Sequence, residues 1–278
     1  MYKKGLIVLT VITLLTYFLA AGCNLHNLTE PGPGTGEENS QLIFAVWSAP
    51  DGVFNFNLMT SYYDQHCVWP VFDSLLGFQP DLSYYSNLAE EWEIRDDGLT
   101  FYYKLRDDIY WHDGVPVTSE DVKFTFEWMM HPDYTGPGTY YWEKIKGFEA
   151  YHTGEADQVE GIVILSDREI EFHFTQVDAP AHFNVSTWKI SPYHIFKETP
   201  VAELDNHPAV LNPIGSGPFK FERYQEGQYV ELVKNESYHL GAPGLDRIII
   251  KVSNPDAAQA ELLTGRVDAA LIAPNADE

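Results

Sequence analysis

Apolar and polar residues alternate along the segment that ends at Leu105. The odd-numbered residues from Leu99 to Leu105 are Leu, Phe, Tyr and Leu, and the residues between them are Thr, Tyr and Lys. This period of two predicts a β-strand with one buried face. Asp97 and Gly98 form a turn pair just before it, which joins it to a second predicted strand over Glu91–Ile94 as a hairpin.

Two more hairpins and an opening strand follow from similar patterns. The opening strand covers Gln41–Trp47 and is followed by a loop through Pro50, Asp51 and Gly52. The second hairpin pairs strands Ile162–Leu165 and Ile170–Phe174 with a turn at Asp167 and Arg168, and the third pairs Gly217–Tyr224 and Tyr229–Lys234 with a turn at Glu226 and Gly227.

Helical patterns separate these hairpins. Thr118 and Asp121 have the spacing of a capping box, and an apolar stripe follows at Val122, Phe126 and Met129. A second helix is predicted over Pro255–Leu263, with Pro in its first turn and Gly265 at its end. A last strand follows over Val267–Ile272. Hairpins mixed with helix-then-strand units predict an α/β or mixed α+β body.

The first 22 residues have the features of an export signal. Lys3 and Lys4 precede an uncharged apolar stretch, Leu6–Ala21, which is short for a membrane-spanning helix. The stretch ends in Ala20-Ala21-Gly22-Cys23, which resembles the lipobox of bacterial lipoproteins. That resemblance implies cleavage before Cys23 and a diacylglyceryl anchor on its thiol, and two acyl chains are enough for stable anchoring. The alternative is an ordinary signal peptide with an incidental cysteine.

Residues 23–41 predict a flexible tether between a membrane and the folded body. Pro31, Pro33 and three glycines are interspersed with polar and acidic residues in this stretch. If Cys23 carries lipid, Cys67 is the one cysteine left, so the mature chain cannot form an internal disulfide. Cys67 stands in an apolar run, which favours a buried small hydrophobe over a reactive thiol.

The charge balance argues against polyanionic partners. The chain of 278 residues has 17 Lys and Arg against 41 Asp and Glu, a net charge of −24. Nucleic-acid binding requires clustered basic residues that displace phosphate counterions, so no nucleic-acid partner is expected. The apolar fraction of 45% is sufficient for a substantial core.

Sequence motifs for catalysis and for a metal or other cofactor are missing. Gly215-Ser216-Gly217 lacks the flanking spacing of a nucleophile elbow and predicts a tight turn that enters a strand. His112 and Asp113 lie in a stretch typical of a turn. The ten histidines have no zinc-like spacing. A binding protein without a cofactor is therefore expected, and a two-carboxylate glycosidase is the weakest alternative.

Aromatic residues provide the positive signal for binding. They make up 14% of the chain, and the densest group lies in the Gly- and Pro-rich stretch Tyr134–Trp142. Aromatic side chains beside glycines can form the walls of a pocket, because they offer large contact area at little rotamer cost. The alternative, which is favoured for any single ring, is that it anchors a core or a loop.

Several motifs occur together in one order. Asn87–Glu93, Asp97–Phe101, Lys104–Asp108 and His112–Val122 are followed by Gly161–Phe174, Ile190–His194, Pro213–Phe221, Asn235–Tyr238 and Leu262–Asp268. This series resembles the extracellular solute-binding proteins of the oligopeptide, dipeptide and nickel type. The resemblance covers Leu42 to Ala270.

The resemblance implies a two-lobed clamshell, of the type II periplasmic-binding-protein kind, that closes on its ligand and delivers it to a membrane permease. Members of the family are nearly twice as long, so the resemblance implies that this chain is a truncated or partial product without the second lobe. It further implies a first-lobe core formed by residues 42–75 and 185–278, with a β-rich subdomain inserted at 76–184.

The function implied is capture of short peptides for an ABC importer by a monomeric lipoprotein on the outer face of the cell membrane or in the periplasm. Nickel chelates, haem or oligosaccharides are alternatives on the same fold, and a chaperone-like or signalling lipoprotein is an alternative of another class. Carried over from relatives, the ligand-binding residues are Trp47, Ser48 and Ala49 after the opening strand, Gln65 near a helix start, and the aromatic loop residues Tyr140, Tyr141 and Trp142.

Overall fold

The computed structural model describes residues 40–271. The predicted signal peptide, the lipidation site Cys23 and all but the end of the predicted tether lie outside the described residues, as does Ile272 at the end of the last predicted strand.

The described part is a mixed α/β structure, as predicted. Its strands are β1 (Gln41–Val46), β2 (Leu76–Phe78), β3 (Tyr84–Ser86), β4 (Ala89–Arg95), β5 (Thr100–Leu105), β6 (Ile162–Ser166), β7 (Glu169–His173), β8 (Phe219–Gln225), β9 (Tyr229–Lys234), β10 (Arg247–Val252) and β11 (Ala269–Ala270). Its α-helices are α1 (Tyr62–Val68), α2 (Ser119–Met130), α3 (Phe148–His152), α4 (Ala181–Thr187), α5 (Tyr193–Phe196), α6 (Pro208–Leu211) and α7 (Pro255–Leu263). Short 3₁₀ turns cover Asp96–Gly98, Thr139–Tyr141 and Val201–Asn206.

The chain forms two compact units. The first unit combines residues 40–49 with residues 222–271, and the second unit is residues 50–221. The predicted boundaries at 75/76 and 184/185 do not coincide with these limits, so the inserted subdomain at 76–184 stays a prediction.

The first unit is formed around a five-stranded sheet with the order β11-β1-β10-β9-β8. Strand β1 runs parallel to β10 and β11, and β9 runs antiparallel to β10. Helix α7 begins after Asn254, whose side chain accepts a hydrogen bond from the Ala257 N–H at 2.9 Å. Its Ala258 packs in a core cluster with Ala45, Val267 and Ala270. The predicted β8–β9 pair and the predicted helix are confirmed.

The second unit contains an antiparallel sheet with the order β4-β5-β7-β6, so both predicted hairpins are confirmed. The β4–β5 turn is tight because Asp97 and Gly98 have φ values of 53° and 92°, a region that Gly and Asp tolerate better than most residues. Phe101 on β5 pairs in register with Ile94 and with Phe172.

Helix α2 begins with the predicted capping box. The Thr118 N–H donates to the Asp121 carboxylate at 2.7 Å. Val122, Phe126 and Met129 are fully buried, as the apolar stripe predicts. The Phe126 ring lies edge-on to the Phe172 ring at 4.8 Å, which joins the helix to the sheet.

The two ends of the second unit are held together inside it. The Phe54 and Phe221 rings, which lie close to its first and last residues, are 5.1 Å apart. The Gly215–Gly217 segment packs against the backbone of Val71, and the Gly217 N–H donates to the Val71 carbonyl at 2.9 Å. The predicted glycine turn before β8 is therefore a close backbone crossing.

Candidate functional site

The predicted ligand-binding residues fall in both units. Trp47, Ser48 and Ala49 follow β1 in the first unit, whereas Gln65 and the loop Tyr140–Trp142 belong to the second unit. The residues of each unit are therefore described within that unit.

Trp47, Ser48 and Ala49 lie at the carboxyl edge of parallel strands. Because β1, β10 and β11 are parallel, their carboxyl ends meet at one edge of the sheet, where open α/β sheets commonly bind ligands. The Trp47 indole N–H donates a hydrogen bond to the Leu271 carbonyl. The one polar group of the Trp47 side chain therefore has a partner within the protein. Ser48 is exposed and Ala49 is half-buried. The role of these three residues stays a prediction.

In the second unit, a buried carboxylate fixes the loop that precedes α1. Asp64 accepts hydrogen bonds from the backbone N–H groups of Gly52 at 3.0 Å and Asp51 at 3.2 Å. Burial raises the pKa of Asp64, and the hydrogen bond from Gly52 offsets part of that rise. The neighbouring residue Gln65 is half-buried on α1.

The aromatic loop of the second unit presents two of its three predicted rings. Tyr140 is 64% exposed, and its ring centroid lies 4.1 Å from that of Tyr141, which is half-buried. Both residues lie in the 3₁₀ turn that follows Gly138, whose φ of 95° only glycine adopts readily.

Trp142 occupies the core instead of an open cleft. Its side chain is 0% exposed, and its ring lies edge-on to the Phe126 ring at 4.8 Å and to the Trp188 ring at 5.2 Å. Trp142 is therefore not accessible to a ligand in this structure. Its ring packs in the core and holds the aromatic loop in place.

Exposed Tyr140 begins a line of neighbouring rings, the rest of them half-buried, which we call the aromatic strip. It consists of Tyr140, Tyr141, Trp188, Phe56 and Trp69. The centroid distances are 5.9 Å from Tyr141 to Trp188, 5.4 Å from Trp188 to Phe56, and 6.2 Å from Phe56 to Trp69. Such distances are typical of interacting aromatic pairs. The strip connects the predicted loop to the C-terminal end of α1.

The far end of the aromatic strip carries a cation. Trp69 follows Gln65 by four residues, so both lie on one face of α1. The Lys189 Nζ stands over the Trp69 ring, 5.5 Å from its centroid. Burial lowers the pKa of Lys189, and the nearby Asp73 carboxylate counteracts part of that effect.

A buried amide holds the middle of the strip in place. Asn57 is fully buried. Its Oδ1 accepts a hydrogen bond from the Trp188 indole N–H at 2.6 Å, and its Nδ2 donates to the Ser191 hydroxyl at 2.9 Å. The Tyr134 hydroxyl donates a hydrogen bond to the backbone carbonyl of Asn57. Asn57 therefore couples the loop before α1 to the aromatic loop.

An open pocket of about 690 Å³ lies beside the exposed end of the strip. Tyr140, Phe148 and His152 contribute rings to its lining, and Glu143 and Glu149 contribute carboxylates. The His152 Nδ1 lies 2.8 Å from the Met130 carbonyl, so it carries the ring proton.

Three groups that resemble catalytic residues are buried or hydrogen-bonded to the backbone instead. The His112 Nε2 lies 2.9 Å from the Gly217 carbonyl, and its Nδ1 accepts from the Gly215 N–H at 3.2 Å. Ser216 is buried. Cys67 is buried too, and burial raises the pKa of its thiol, as expected for a small hydrophobe.

Within residues 40–271, no three His, Cys, Asp or Glu side chains converge as metal ligands would. None of the helices in that range has both the length and the apolar character needed to cross a bilayer.

Phe56, Trp69, Trp188 and Lys189 were not predicted as site residues. Three separate stretches of sequence contribute them, and only the fold brings them together. One local signal was readable, namely the four-residue spacing of Gln65 and Trp69 on a short helix.

Comparison with known proteins identifies the family of the chain. Residues 83–278 match the model of bacterial extracellular solute-binding proteins, family 5 Middle. The chain is 29% identical over 271 residues to the oligopeptide-binding protein AppA of Bacillus subtilis, a match that covers 96% of this chain and 47% of the relative.

Solved structures agree with this match. The structure of AppA from Bacillus subtilis in complex with a nonapeptide superposes with a TM-score of 0.73 at 27% identity, over 82% of this chain and 44% of that one. The crystal structure of NikZ from Campylobacter jejuni in complex with Ni(L-His) gives a TM-score of 0.70 at 30% identity, over 84% and 43%. The chain thus spans less than half the length of these relatives.

Proposed function

The chain belongs to the bacterial extracellular solute-binding proteins of family 5, and from that membership we propose that it captures short peptides for an ABC importer. In this proposal the protein acts as a monomer, catalyses no reaction, and passes its ligand to permease subunits in the membrane. The names of relatives support it, since AppA of Bacillus subtilis is an oligopeptide-binding protein.

The observation that carries the proposal is the aromatic strip. Its rings offer a long apolar surface with few directed polar groups, and most of its rings are half-buried and therefore fixed. A surface of this kind suits ligands that are elongated and vary in side chain, because it contributes contact area without demanding one hydrogen-bonding pattern. Short peptides have these properties.

We place the protein outside the cytoplasm, in agreement with the extracellular description of the family. We further propose that Cys23 carries the lipid that retains it at the membrane surface. Replacement of Cys23 by Ala should move the protein from the membrane fraction to the soluble exported fraction. Continued retention of the C23A variant with the membranes would contradict the anchor.

Metal–amino acid chelates are the second candidate ligand. The similarity to NikZ, whose structure contains Ni(L-His), supports this alternative. Such a chelate carries carboxylate and imidazole groups that the protein could bind without supplying metal ligands itself.

A thermal-shift screen of the full-length protein separates these ligands. Specific binding raises the melting temperature by mass action, so di- to pentapeptides, nickel–histidine and oligosaccharides are tested in parallel. The double replacement of Tyr140 and Tyr141 by Ala should remove the shift with peptides. Tyr110→Ala is the matched control, because Tyr110 is exposed and lies outside the strip. A wild-type protein that responds to none of the peptides would overturn the proposal.

A further inference from the structure

A second pocket, of about 430 Å³, lies on the first unit. Its floor includes Ile43 on β1 and Ile249 on β10, which are register partners and therefore point to the same face of the sheet. Ile43 also packs against the core cluster that contains Ala258 of α7, so the pocket lies beside that helix. Two cations, Lys251 and Arg266, line the pocket, and none of its described lining residues carries a carboxylate. Such a lining favours an anionic occupant.

Arg266 is the cation of the pocket with unused hydrogen-bond donors. The Lys251 Nζ forms an ion pair with Glu261 at 2.7 Å. Within residues 40–271 the Arg266 side chain donates to the Thr264 hydroxyl at 3.2 Å, and no carboxylate lies within 4 Å of its guanidinium. Lys251 and, to a smaller extent, Arg266 lower the pKa of Glu261, so this carboxylate offsets only part of the positive charge. Arg266 is exposed, and a carboxylate that enters the pocket can therefore reach it.

The stretch of chain that precedes β1 has the complementary composition. Residues 24–39, which we call the acidic segment, lead directly into Ser40 and lie outside the described residues. The acidic segment contains Glu30, Glu37 and Glu38, two leucines, and neither Lys nor Arg. Its carboxylates match the two cations of the pocket, and its leucines match the apolar floor. Because the segment belongs to the same chain, its effective concentration at the pocket is high.

The pocket lies within reach of the acidic segment. Ile43 follows Ser40 by three residues, which is about 10 Å along a strand. Glu37 precedes Ser40 by three residues, so a chain that reverses its direction at Ser40 spans about the same distance. Arg266 precedes β11, which runs parallel to β1, and it therefore lies at the end of the sheet where β1 begins.

We propose that the acidic segment docks in this pocket, with its carboxylates on Arg266 and Lys251. Docking shortens the free link between the folded body and residue 23, and with the lipid anchor proposed above it keeps the first unit close to the membrane. Single exposed ion pairs contribute little, so docking depends on several contacts together and weakens with salt. The inference does not depend on which ligand the protein captures.

The test is carbodiimide cross-linking of the full-length protein, which joins a carboxylate to an amine where the two are in contact. Lys251 is the amine of the pocket, and its link to Glu261, 2.7 Å away, is the internal positive control. Mass spectrometry of the digested monomer should find Lys251 joined also to the acidic segment, at Glu30, Glu37 or Glu38.

Lys234 provides the matched comparison within the same molecule. Its Nζ pairs with Asp246 at 2.7 Å, and the Asp246 carboxylate accepts the Ser40 N–H at 2.8 Å. Lys234 therefore lies close to the point where the acidic segment joins the fold, but outside the pocket lining. The acidic segment should form about fivefold or more links to Lys251 than to Lys234. An ionic strength of about 1 M should remove this excess, because exposed charges are then screened.

Two variants separate the pocket from the general charge of the unit. Arg266→Gln removes the cation with unused donors and leaves Lys251 reactive, so the links from the acidic segment to Lys251 should fall about fivefold. Arg223→Gln is the control, because Arg223 is an exposed cation outside the pocket lining and its partner Glu231 keeps an ion pair with Arg247. This variant should give the wild-type yield.

Each result supports or overturns docking. Equal yields at Lys251 and Lys234 in the wild type overturn it, and so does a Lys251 that is joined to Glu261 alone. A wild-type yield in Arg266→Gln also overturns it. Links from Lys251 to a second copy of the chain or to another segment assign the pocket to that occupant instead. None of these results bears on peptide capture, which the thermal-shift screen tests separately.

Discussion

Gly215 is the position at which the smallest change should have the largest effect on stability. A Cβ added there would lie 1.8 Å from the Val71 carbonyl oxygen and 2.7 Å from its carbonyl carbon. These are backbone atoms, so no side-chain rotation can relieve the clash. The segment would have to move by roughly 1.5 Å to restore van der Waals separation.

Such a movement would break a local hydrogen-bond network. The Gly217 N–H donates to the Val71 carbonyl at 2.9 Å, and the His112 N–H donates to the Gly215 carbonyl at 2.7 Å. The two imidazole nitrogens of His112 bond the same glycine segment. At about 1 kcal/mol for each of these four hydrogen bonds, Gly215→Ala should lower the free energy of unfolding by about 3–5 kcal/mol.

Urea unfolding of the full-length protein, followed by tryptophan fluorescence, measures this loss. Gly244→Ala is the control, because nothing lies within 4 Å of a Cβ at that position. It should change the free energy of unfolding by less than about 1 kcal/mol. A Gly215→Ala variant that unfolds at the same urea concentration as Gly244→Ala would refute the close backbone crossing.

Three further predictions concern buried side chains. Burial lowers the pKa of His112 to about 4 from 6.5, so the stability that comes from the neutral ring is complete above pH 6.5 and is lost as the pH falls toward 4. At pH 5 the free energy of unfolding should be lower by at most about 2 kcal/mol. The measurement compares how the free energy of unfolding varies with pH in the wild type and in His112→Asn. Identical pH dependences would contradict the prediction. Trp142→Ala should lower the free energy of unfolding by about 3–5 kcal/mol, because it leaves a cavity in the core. Tyr140→Ala should lower it by less than about 0.5 kcal/mol. Equal melting temperatures for the two variants would contradict the core position of Trp142. Cys67 should react with a maleimide only in guanidinium chloride, since burial raises its pKa; rapid labelling of the native protein would show that the thiol is accessible.

The sequence predicted the local elements well. The alternation before Leu105, the turn pair at Asp97 and Gly98, and the capping box at Thr118 depend on neighbouring residues, so each was readable before the fold was known. All three are present in the structure.

The candidate site was less predictable, because it depends on contacts between distant segments. Trp142 was expected at a cleft since it belongs to an aromatic loop, but sequence cannot tell which ring of the loop turns inward. The Phe126 and Trp188 rings that enclose it come from 16 residues before it and 46 after it. Trp69 and Lys189 are 120 residues apart in sequence, so no local sequence pattern predicts that they are in contact.

The split composition of the first unit has a consequence for the order of folding. Strand β1 ends at Val46 and finds its parallel partners only at β10 and β11, about 200 residues later. Closing so long a loop from an open chain carries a large entropic cost. If residues 50–221 fold beforehand, the contact between Phe54 and Phe221 brings the two ends of that segment within one ring distance, so only a short loop remains to be closed when β10 pairs with β1. Until β10 and β11 are available, the apolar strand β1 lacks its pairing partners, and during this interval the folding chain is most dependent on protection from aggregation.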